Sequence, residues 1–277
     1  MLQKEEKFNM LKAIIFMAHP MLKTIFNIIR WPNLLMLGGI QLLVFYRLMQ
    51  PLSSVLTWID LTFLVVITIL LGAAGYVIND YYDADIDKIN KPAKWIAGNK
   101  WSLAMVRTLY LMISFTGFLL SIWLALRLGL IKYIFIYPIA ATGLWFYSYS
   151  LKCKPMIGNM WVSFFCAGVV CIVALPDILL DNSRAVKIEL WYYAGFAFIA
   201  TLYREVVKDI EDIEGDAQVN CQTAVVRFGL NFGKWIAIVL GLLLIVSLLF
   251  WERQQTDYWI KLILTILEGF TIGSMAF

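Results

Sequence analysis

The feature that most constrains the fold is a series of apolar stretches, each about 20 residues long. A helix needs about 20 mainly apolar residues to cross a bilayer. Eight stretches reach this length, which predicts an all-α membrane protein built as a bundle of about eight spanning helices. The predicted spans lie near 31–49, 58–79, 102–125, 131–150, 157–176, 188–208, 233–251 and 257–277.

The composition excludes other classes of chain. Hydrophobic residues make up 61% of the 277 residues and charged residues only 15%. The chain therefore lacks the polar surface of a soluble domain and the high charge of a disordered one. Its four cysteines contain no CxxC pair, which predicts neither a disulfide framework nor a zinc site. We expect an integral membrane protein, in the inner membrane if the organism is bacterial.

The distribution of positive charge predicts the orientation of the chain in the membrane. Cytoplasmic loops of membrane proteins carry an excess of Lys and Arg. Sixteen of these residues fall on the side of the N-terminus and seven on the opposite side. The N-terminus and the loops after the second, fourth and sixth spans are therefore predicted to face the cytoplasm.

Two rows of aspartates share one spacing. Asp80, Asp83 and Asp87 close the second span, and their pattern, D-x-x-D-x-x-x-D, recurs 129 residues later at the end of the sixth span. The second row consists of Asp209, Asp212 and Asp216. Positions i, i+3 and i+7 of a helix fall within about 60° of one face. Each row is therefore predicted to form one stripe of carboxylates.

The matched rows indicate an internal repeat. If spans one to four and five to eight are copies of one unit, both rows open on the same membrane face, because an even number of spans preserves orientation. We predict a single domain over residues 1–277, with halves at about 25–150 and 151–277 around a central cavity. The six carboxylates would converge in that cavity.

Converging carboxylates require cations, since like charges this close cannot all stay ionised alone. Carboxylates, waters and phosphates are the ligands that Mg²⁺ prefers. Lysines beside the rows can neutralise the oxygens of a bound phosphate group. These lysines are Lys88, Lys91, Lys94, Lys152, Lys154 and Lys208. The pattern therefore predicts that Mg²⁺ and a diphosphate bind between the rows.

Other interpretations of the acidic residues stay open. Acids and lysines at helix ends are commonly solvated flanks, although that interpretation does not account for a duplicated spacing. A cation transport site would place its acids near the middle of the bilayer, whereas both rows close a span. A carrier that binds cations or a lipid diphosphate without any chemistry is the alternative class of function.

Three segments resemble motifs of the UbiA superfamily of intramembrane prenyltransferases. Residues 79–87, NDYYDADID, resemble its N-D-x-x-D-x-x-x-D motif, and residues 203–216, YREVVKDIEDIEGD, resemble its second aspartate motif. Residues 147–159, YSYSLKCKPMIGN, resemble the loop between its fourth and fifth helices. Arg30 and Asn33 match an R-x-x-N pattern at the start of its first helix. Members of this family usually have nine helices, one more than the predicted spans.

The resemblance implies a Mg²⁺-dependent prenyltransferase. In this family, Mg²⁺ held by the aspartate rows binds an isoprenyl diphosphate and stabilises the leaving diphosphate while the allylic carbon becomes cationic. The second motif looks most similar to the branch that transfers a geranylgeranyl group to geranylgeranylglyceryl phosphate. The alternative acceptor is 4-hydroxybenzoate or another aromatic quinone precursor.

The resemblance also implies roles for individual residues. Metal binding falls to Asn79 and the six row aspartates, and the same aspartates are the expected catalytic residues. Substrate binding is expected from Asn33, Lys91, Lys94, Tyr147, Lys152, Tyr203 and Lys208. The implied partners are an isoprenyl diphosphate, a lipophilic acceptor and the lipid bilayer, and no nucleic acid is expected.

Overall fold

The structure, a computed structural model, describes residues 21–93, 95–180 and 188–254. Its regular structure is helical apart from one isolated β-bridge. A helical segment at 21–28 precedes the helices labelled here α1 to α11. They are α1 (Trp31–Val44), α2 (Trp58–Tyr82), α3 (Ala84–Asn90), α4 (Leu103–Arg127), α5 (Ile136–Phe146), α6 (Ile157–Cys171), α7 (Leu175–Leu179), α8 (Ile188–Glu211), α9 (Ile213–Gln218), α10 (Ala224–Phe228) and α11 (Leu230–Gln254). Short 3-10 or π-helical turns lie at Phe45–Met49, Gln50–Leu52, Ile131–Phe135 and Tyr147–Leu151.

Helices match the predicted spans between 31 and 251. Four helical segments of the described chain are long and apolar enough to cross a bilayer. These are Trp31–Met49, Trp58–Tyr82, Leu103–Arg127 and Leu230–Trp251. The predicted span at 257–277 lies outside the described residues. The all-α membrane architecture is therefore confirmed, whereas the count of eight spans stays a prediction.

The helix boundaries repeat with the spacing of the aspartate rows. Shifting α2 by 129 residues gives 187–211, and α8 occupies Ile188–Glu211. The same shift matches α3 to α9 and α4 to α11 within about two residues. The packing repeats as well. In the first half α2 packs against α1 and α4, and in the second half α8 packs against the equivalent helices, α6 and α11. These correspondences support the two predicted halves, although their assignment to one domain stays a prediction.

The two halves meet along α1 and α6. The buried Gln41 side chain on α1 donates hydrogen bonds to the Thr68 hydroxyl on α2, at 2.9 Å, and to the Val169 carbonyl on α6, at 3.3 Å. A buried apolar cluster, with Leu61, Leu124 and others, fills the end of the bundle away from the aspartate rows. The polar side chains of the row end are therefore left to form a separate site.

The cysteines correct one prediction. Cys153 and Cys221 form a disulfide, whereas Cys166 and Cys171 are free thiols. The bonded cysteines are 68 residues apart in the chain, and tertiary packing of two loops brings them together. The sequence prediction was wrong because it relied on local cysteine spacing, which carries no signal for such a pair.

Candidate active site

The carboxyl ends of α2 and α8 open into one polar cavity. Among the described residues, six acidic and four basic side chains line it. The acidic ones are Asp83, Asp87, Glu205, Asp209, Asp212 and Asp216, and the basic ones are Arg30, Lys91, Lys152 and Lys208. Five of the six row aspartates therefore converge on one cavity, whereas Asp80 is not among its lining side chains.

The middle aspartate of each row lies at a helix junction. Asp83 separates α2 from α3, and Asp212 separates α8 from α9. Their backbone angles are nearly identical, with φ −88° and ψ 4° at Asp83 and φ −92° and ψ 4° at Asp212. This region of backbone space is sparsely populated and is often adopted by active-site residues. The two rows therefore bend at equivalent points. Each row was predicted to lie on one continuous helix, but in the structure it runs across the junction between two helices.

The first aspartates of the two rows have partners at equivalent positions. Arg30 Nη2 lies 2.8 Å from Asp80 Oδ1, and Asn159 Nδ2 donates to Asp209 Oδ2 at 2.9 Å. Arg30 and Asn159 are 129 residues apart, the same separation as their aspartates. The repeat therefore keeps the pairing but places a charged donor in one half and a neutral amide in the other.

The middle aspartates are each paired with a lysine. Lys91 Nζ lies 2.7 Å from Asp212 Oδ2, so a first-half loop reaches the second row. Lys152 forms an ion pair with Asp83, which also accepts a hydrogen bond from the Asn79 amide. Lys152 follows the π-helical turn Tyr147–Leu151, a rare element that often marks functional sites. The lysines therefore lie within reach of any anion held between the rows.

The outer aspartates, Asp87 and Asp216, line the cavity and border both lysines and carboxylates. Burial raises the pKa of Asp216 to about 6, Lys152 opposes that rise and Asp212 adds to it. Burial and the Asp83 carboxylate also raise the pKa of Asp87. Crowded carboxylates of this kind favour the binding of a cation, because a cation relieves their mutual repulsion.

The donor set of the cavity fits Mg²⁺. Its acidic side chains offer only oxygen ligands, and they outnumber the basic side chains by six to four. Within the described part of the chain, no three His, Cys, Asp or Glu side chains are grouped closely enough to enclose one ion. Mg²⁺ does not need such a cage, because it is usually bound through one or two carboxylates together with waters and substrate phosphates.

Not every predicted substrate-binding residue lines the cavity. Lys91, Tyr147, Lys152 and Lys208 do so. Asn33 and Tyr203 are described but are not among the lining side chains, and Lys94 lies outside the described residues. Asn33 instead lies in the first turn of α1, where its backbone N–H donates to the Arg30 carbonyl at 2.9 Å. The R-x-x-N pattern therefore contributes Arg30 to the cavity.

Five lining residues were missing from the predicted site, namely Arg30, Ile86, Asn159, Glu205 and Thr223. The 129-residue spacing could have found Asn159, since it is the repeat counterpart of Arg30. Glu205 lies one helical turn before Asp209 on α8 and could have been found from its helical spacing. Thr223 has no such signal, because it enters the cavity from the start of α10.

The contact between α3 and α9 brings the two rows together at Gly215. A β-carbon at this position would lie 1.8 Å from Asn90 Oδ1. We therefore expect Gly215→Ala to displace the Asn90 side chain and break its hydrogen bond to the Asp212 carbonyl. The contact between α3 and α9 should loosen, lowering the melting temperature and weakening Mg²⁺-dependent ligand binding. Thermal unfolding in detergent with and without Mg²⁺ measures both effects.

Gly195→Ala is the matched control for Gly215→Ala. Gly195 lies within α8, and a β-carbon there meets nothing within 4 Å. An alanine in a helix interior is more favourable than glycine by about 0.5–1 kcal/mol, so this variant should be at least as stable as the parent. Adding Asn90→Ala should partly rescue Gly215→Ala. Equal stability of the two glycine variants would contradict the proposed close contact.

Comparison with other proteins relates this geometry to known chains. The UbiA prenyltransferase family matches residues 32–273. Two relatives are named digeranylgeranylglyceryl phosphate synthase. The protein of Saccharolobus solfataricus is 37% identical over 208 residues, which cover 74% of this chain and 70% of the relative. That of Methanobrevibacter smithii is 35% identical over 176 residues, which cover 61% and 58%.

The fold is also similar to a solved structure. A UbiA homologue from Archaeoglobus fulgidus, bound to DMAPP and Mg²⁺, superimposes with a TM-score of 0.62 at 13% identity. The match covers 91% of this chain and 85% of the homologue. The family match spans most of the sequence, and the helical bundle agrees with it. The chain therefore belongs to the UbiA prenyltransferase family.

Proposed function

We propose that this protein transfers a geranylgeranyl group from its diphosphate to geranylgeranylglyceryl phosphate. The observation that carries the proposal is the convergence of two matched aspartate rows in one cavity where acids outnumber bases. A diphosphate alone would be repelled there, so it requires divalent cations as companions. The Mg²⁺ in the Archaeoglobus fulgidus homologue and the names of the relatives support the same chemistry.

The residue roles in this proposal follow from charge. Asn79 and the row aspartates would hold Mg²⁺, which would supply positive charge to the leaving diphosphate. Lys91, Lys152 and Arg30, now paired with aspartates, would donate hydrogen bonds to phosphate oxygens. The bond between the allylic carbon and the diphosphate oxygen breaks, and the diphosphate leaves with the bonding electrons. The acceptor hydroxyl oxygen forms the new carbon–oxygen bond, and its proton passes to a carboxylate of the cavity.

The choice of acceptor rests on the surplus of basic side chains. Four of them line the cavity, and Lys208 is left over once Arg30, Lys91 and Lys152 are assigned to the diphosphate. A second anionic group is therefore expected, and a phosphate gains more than a carboxylate from several cations because it carries more charge and more acceptor oxygens. The charge of the cavity therefore favours a prenylglyceryl phosphate over the alternative acceptor, 4-hydroxybenzoate.

A competition assay tests the proposed acceptor. Protein in detergent receives labelled geranylgeranyl diphosphate, Mg²⁺ and equal amounts of geranylgeranylglyceryl phosphate and 4-hydroxybenzoate. We expect most of the label in the glyceryl phosphate product. Label in the aromatic product alone would overturn the acceptor but keep the prenyltransferase. Binding without any covalent product would instead indicate the alternative class, a carrier.

We also propose that the cavity faces the cytoplasm. The proposal rests on the excess of Lys and Arg on the side of the N-terminus. Lys154→Cys and Asn182→Cys, each introduced into a chain without other cysteines, provide two labelling sites for intact cells. An impermeant thiol reagent should label position 182 and spare position 154. The opposite labelling pattern would reverse the proposed orientation.

A further inference from the structure

We propose that the Cys153–Cys221 disulfide positions the cavity wall for diphosphate binding, through Lys152 on one side and Thr223 on the other. The choice of ligand rests on the proposed function. Cys153 directly follows Lys152, and Cys221 lies two residues before Thr223. Both neighbours line the cavity. The disulfide thus joins two loops that each contribute a lining side chain. Because cytosolic thiols commonly reduce such bridges, the proposal requires that this one, with Cys221 buried, resists them on the proposed cytoplasmic face.

The Cys221 side of the link is fixed to the second aspartate row. Cys221 is buried, and its backbone N–H donates to the Asp216 carbonyl at 2.8 Å. Its own carbonyl accepts a hydrogen bond from the Thr223 N–H at 2.9 Å. The sulfur bridge is therefore attached to a segment whose position is set by an aspartate of the site.

The Cys153 side of the link carries the lysine that contacts the first row. The Lys152 side chain is only 15% exposed and pairs with Asp83. The backbone that bears it belongs to the loop between the π-helical turn and α6. Through the disulfide, this loop is tied to the segment after α9, so Lys152 is held at a fixed distance from the second row. When the loop backbone is already fixed, only the lysine side chain has to be ordered on binding, so the entropic cost of binding is smaller.

A structural disulfide with no link to the site would behave differently from a positioning one. Both would lower the melting temperature when removed. A positioning disulfide should in addition weaken diphosphate binding, and that loss should depend on Lys152. The distinction can be measured with an unreactive thiolo analogue of geranylgeranyl diphosphate, whose binding in the presence of Mg²⁺ is followed by calorimetry. This readout does not require turnover.

The first measurement is a peptide map of the unreduced protein, which should contain the peptides of Cys153 and Cys221 joined. Folded protein is then treated with dithiothreitol, which gives two electrons and two protons to the bridge, leaving two thiols and a cyclic oxidised reagent. We expect the analogue to bind about tenfold more weakly after reduction, in keeping with the sensitivity of such sites to small displacements. Separate peptides, or an unchanged dissociation constant after reduction, would overturn the proposal.

Variants give the second measurement. Cys153→Ala with Cys221→Ala should weaken binding as reduction does and should make dithiothreitol ineffective. Cys171→Ala is the matched control, because Cys171 is a free thiol packed against the apolar cluster far from the rows. In a Lys152→Gln background, removing the disulfide should have little further effect. Equal losses with and without Lys152 would show that the link is structural only. Disulfide-dependent binding without transfer would refute the proposed function and leave this inference standing.

Discussion

Replacing either Asp83 or Asp212 with asparagine is expected to abolish prenyl transfer while leaving folded protein in the membrane. These two aspartates occupy equivalent helix junctions, line the same cavity and are each paired with a lysine. Asparagine keeps the size of the side chain but removes one negative charge from the set that balances Mg²⁺. We expect kcat to fall by more than about a hundredfold. Mutating a residue that only orients a metal ligand already lowers metal affinity or activity by about 10- to 100-fold, and these aspartates are expected to be ligands themselves. Turnover with a Mg²⁺ titration measures the effect, and gel filtration in detergent checks folding.

Asp85→Asn is the matched control for the row variants. Asp85 lies in α3 between two row aspartates, but it is exposed and is not among the described side chains that line the cavity. It should therefore retain most of the parental activity and the parental Mg²⁺ dependence. Equal losses at Asp85 and Asp83 would mean that negative charge in general, and not an ordered row, supports the activity.

Lys152→Gln is expected to raise the KM for the isoprenyl diphosphate by about tenfold or more, the size of a lost charge-assisted contact of about 1.5–3 kcal/mol. Lys152 is largely shielded from solvent, and its ion pair with Asp83 holds it at the cavity wall. Asp83 and Asp87 also raise its pKa against the opposing effect of burial, so the side chain stays charged. Steady-state kinetics at saturating acceptor would report the change in KM.

Lys154→Gln separates this role from the general charge of the loop. Lys154 is exposed and does not line the cavity, although it lies only two residues away. Its replacement should leave the KM close to the parental value. A similar rise in KM for both lysine variants would point to long-range attraction of the diphosphate, and that effect should then disappear at high salt.

The parts of the site that were predictable are those with a repeated sequence signal. The D-x-x-D-x-x-x-D spacing is sufficient to identify both rows, because a fixed helical spacing places all three carboxylates on one face. The apolar stretches likewise locate the helices, since a bilayer sets their length. The bend at Asp83 and Asp212 escaped prediction because nothing in the local sequence breaks the helical pattern there.

The parts that were not predictable depend on contacts between distant loops. The disulfide joins cysteines 68 residues apart, and Thr223 reaches the cavity only because α10 begins beside it. Lys152 and Lys154 look equivalent in sequence, yet the π-helical turn before them directs only Lys152 to the rows. Such differences follow from tertiary packing, which the spacing of residues within a short stretch of sequence does not reveal.

The most direct test of the central claim is a single-turnover measurement on the purified protein in lipid. Labelled geranylgeranyl diphosphate, geranylgeranylglyceryl phosphate and Mg²⁺ are mixed with an excess of protein, and both products are quantified. We expect equimolar release of diphosphate and formation of the ether-linked product, with neither formed when EDTA replaces Mg²⁺. Tight, Mg²⁺-dependent binding of the diphosphate with no covalent product would contradict it.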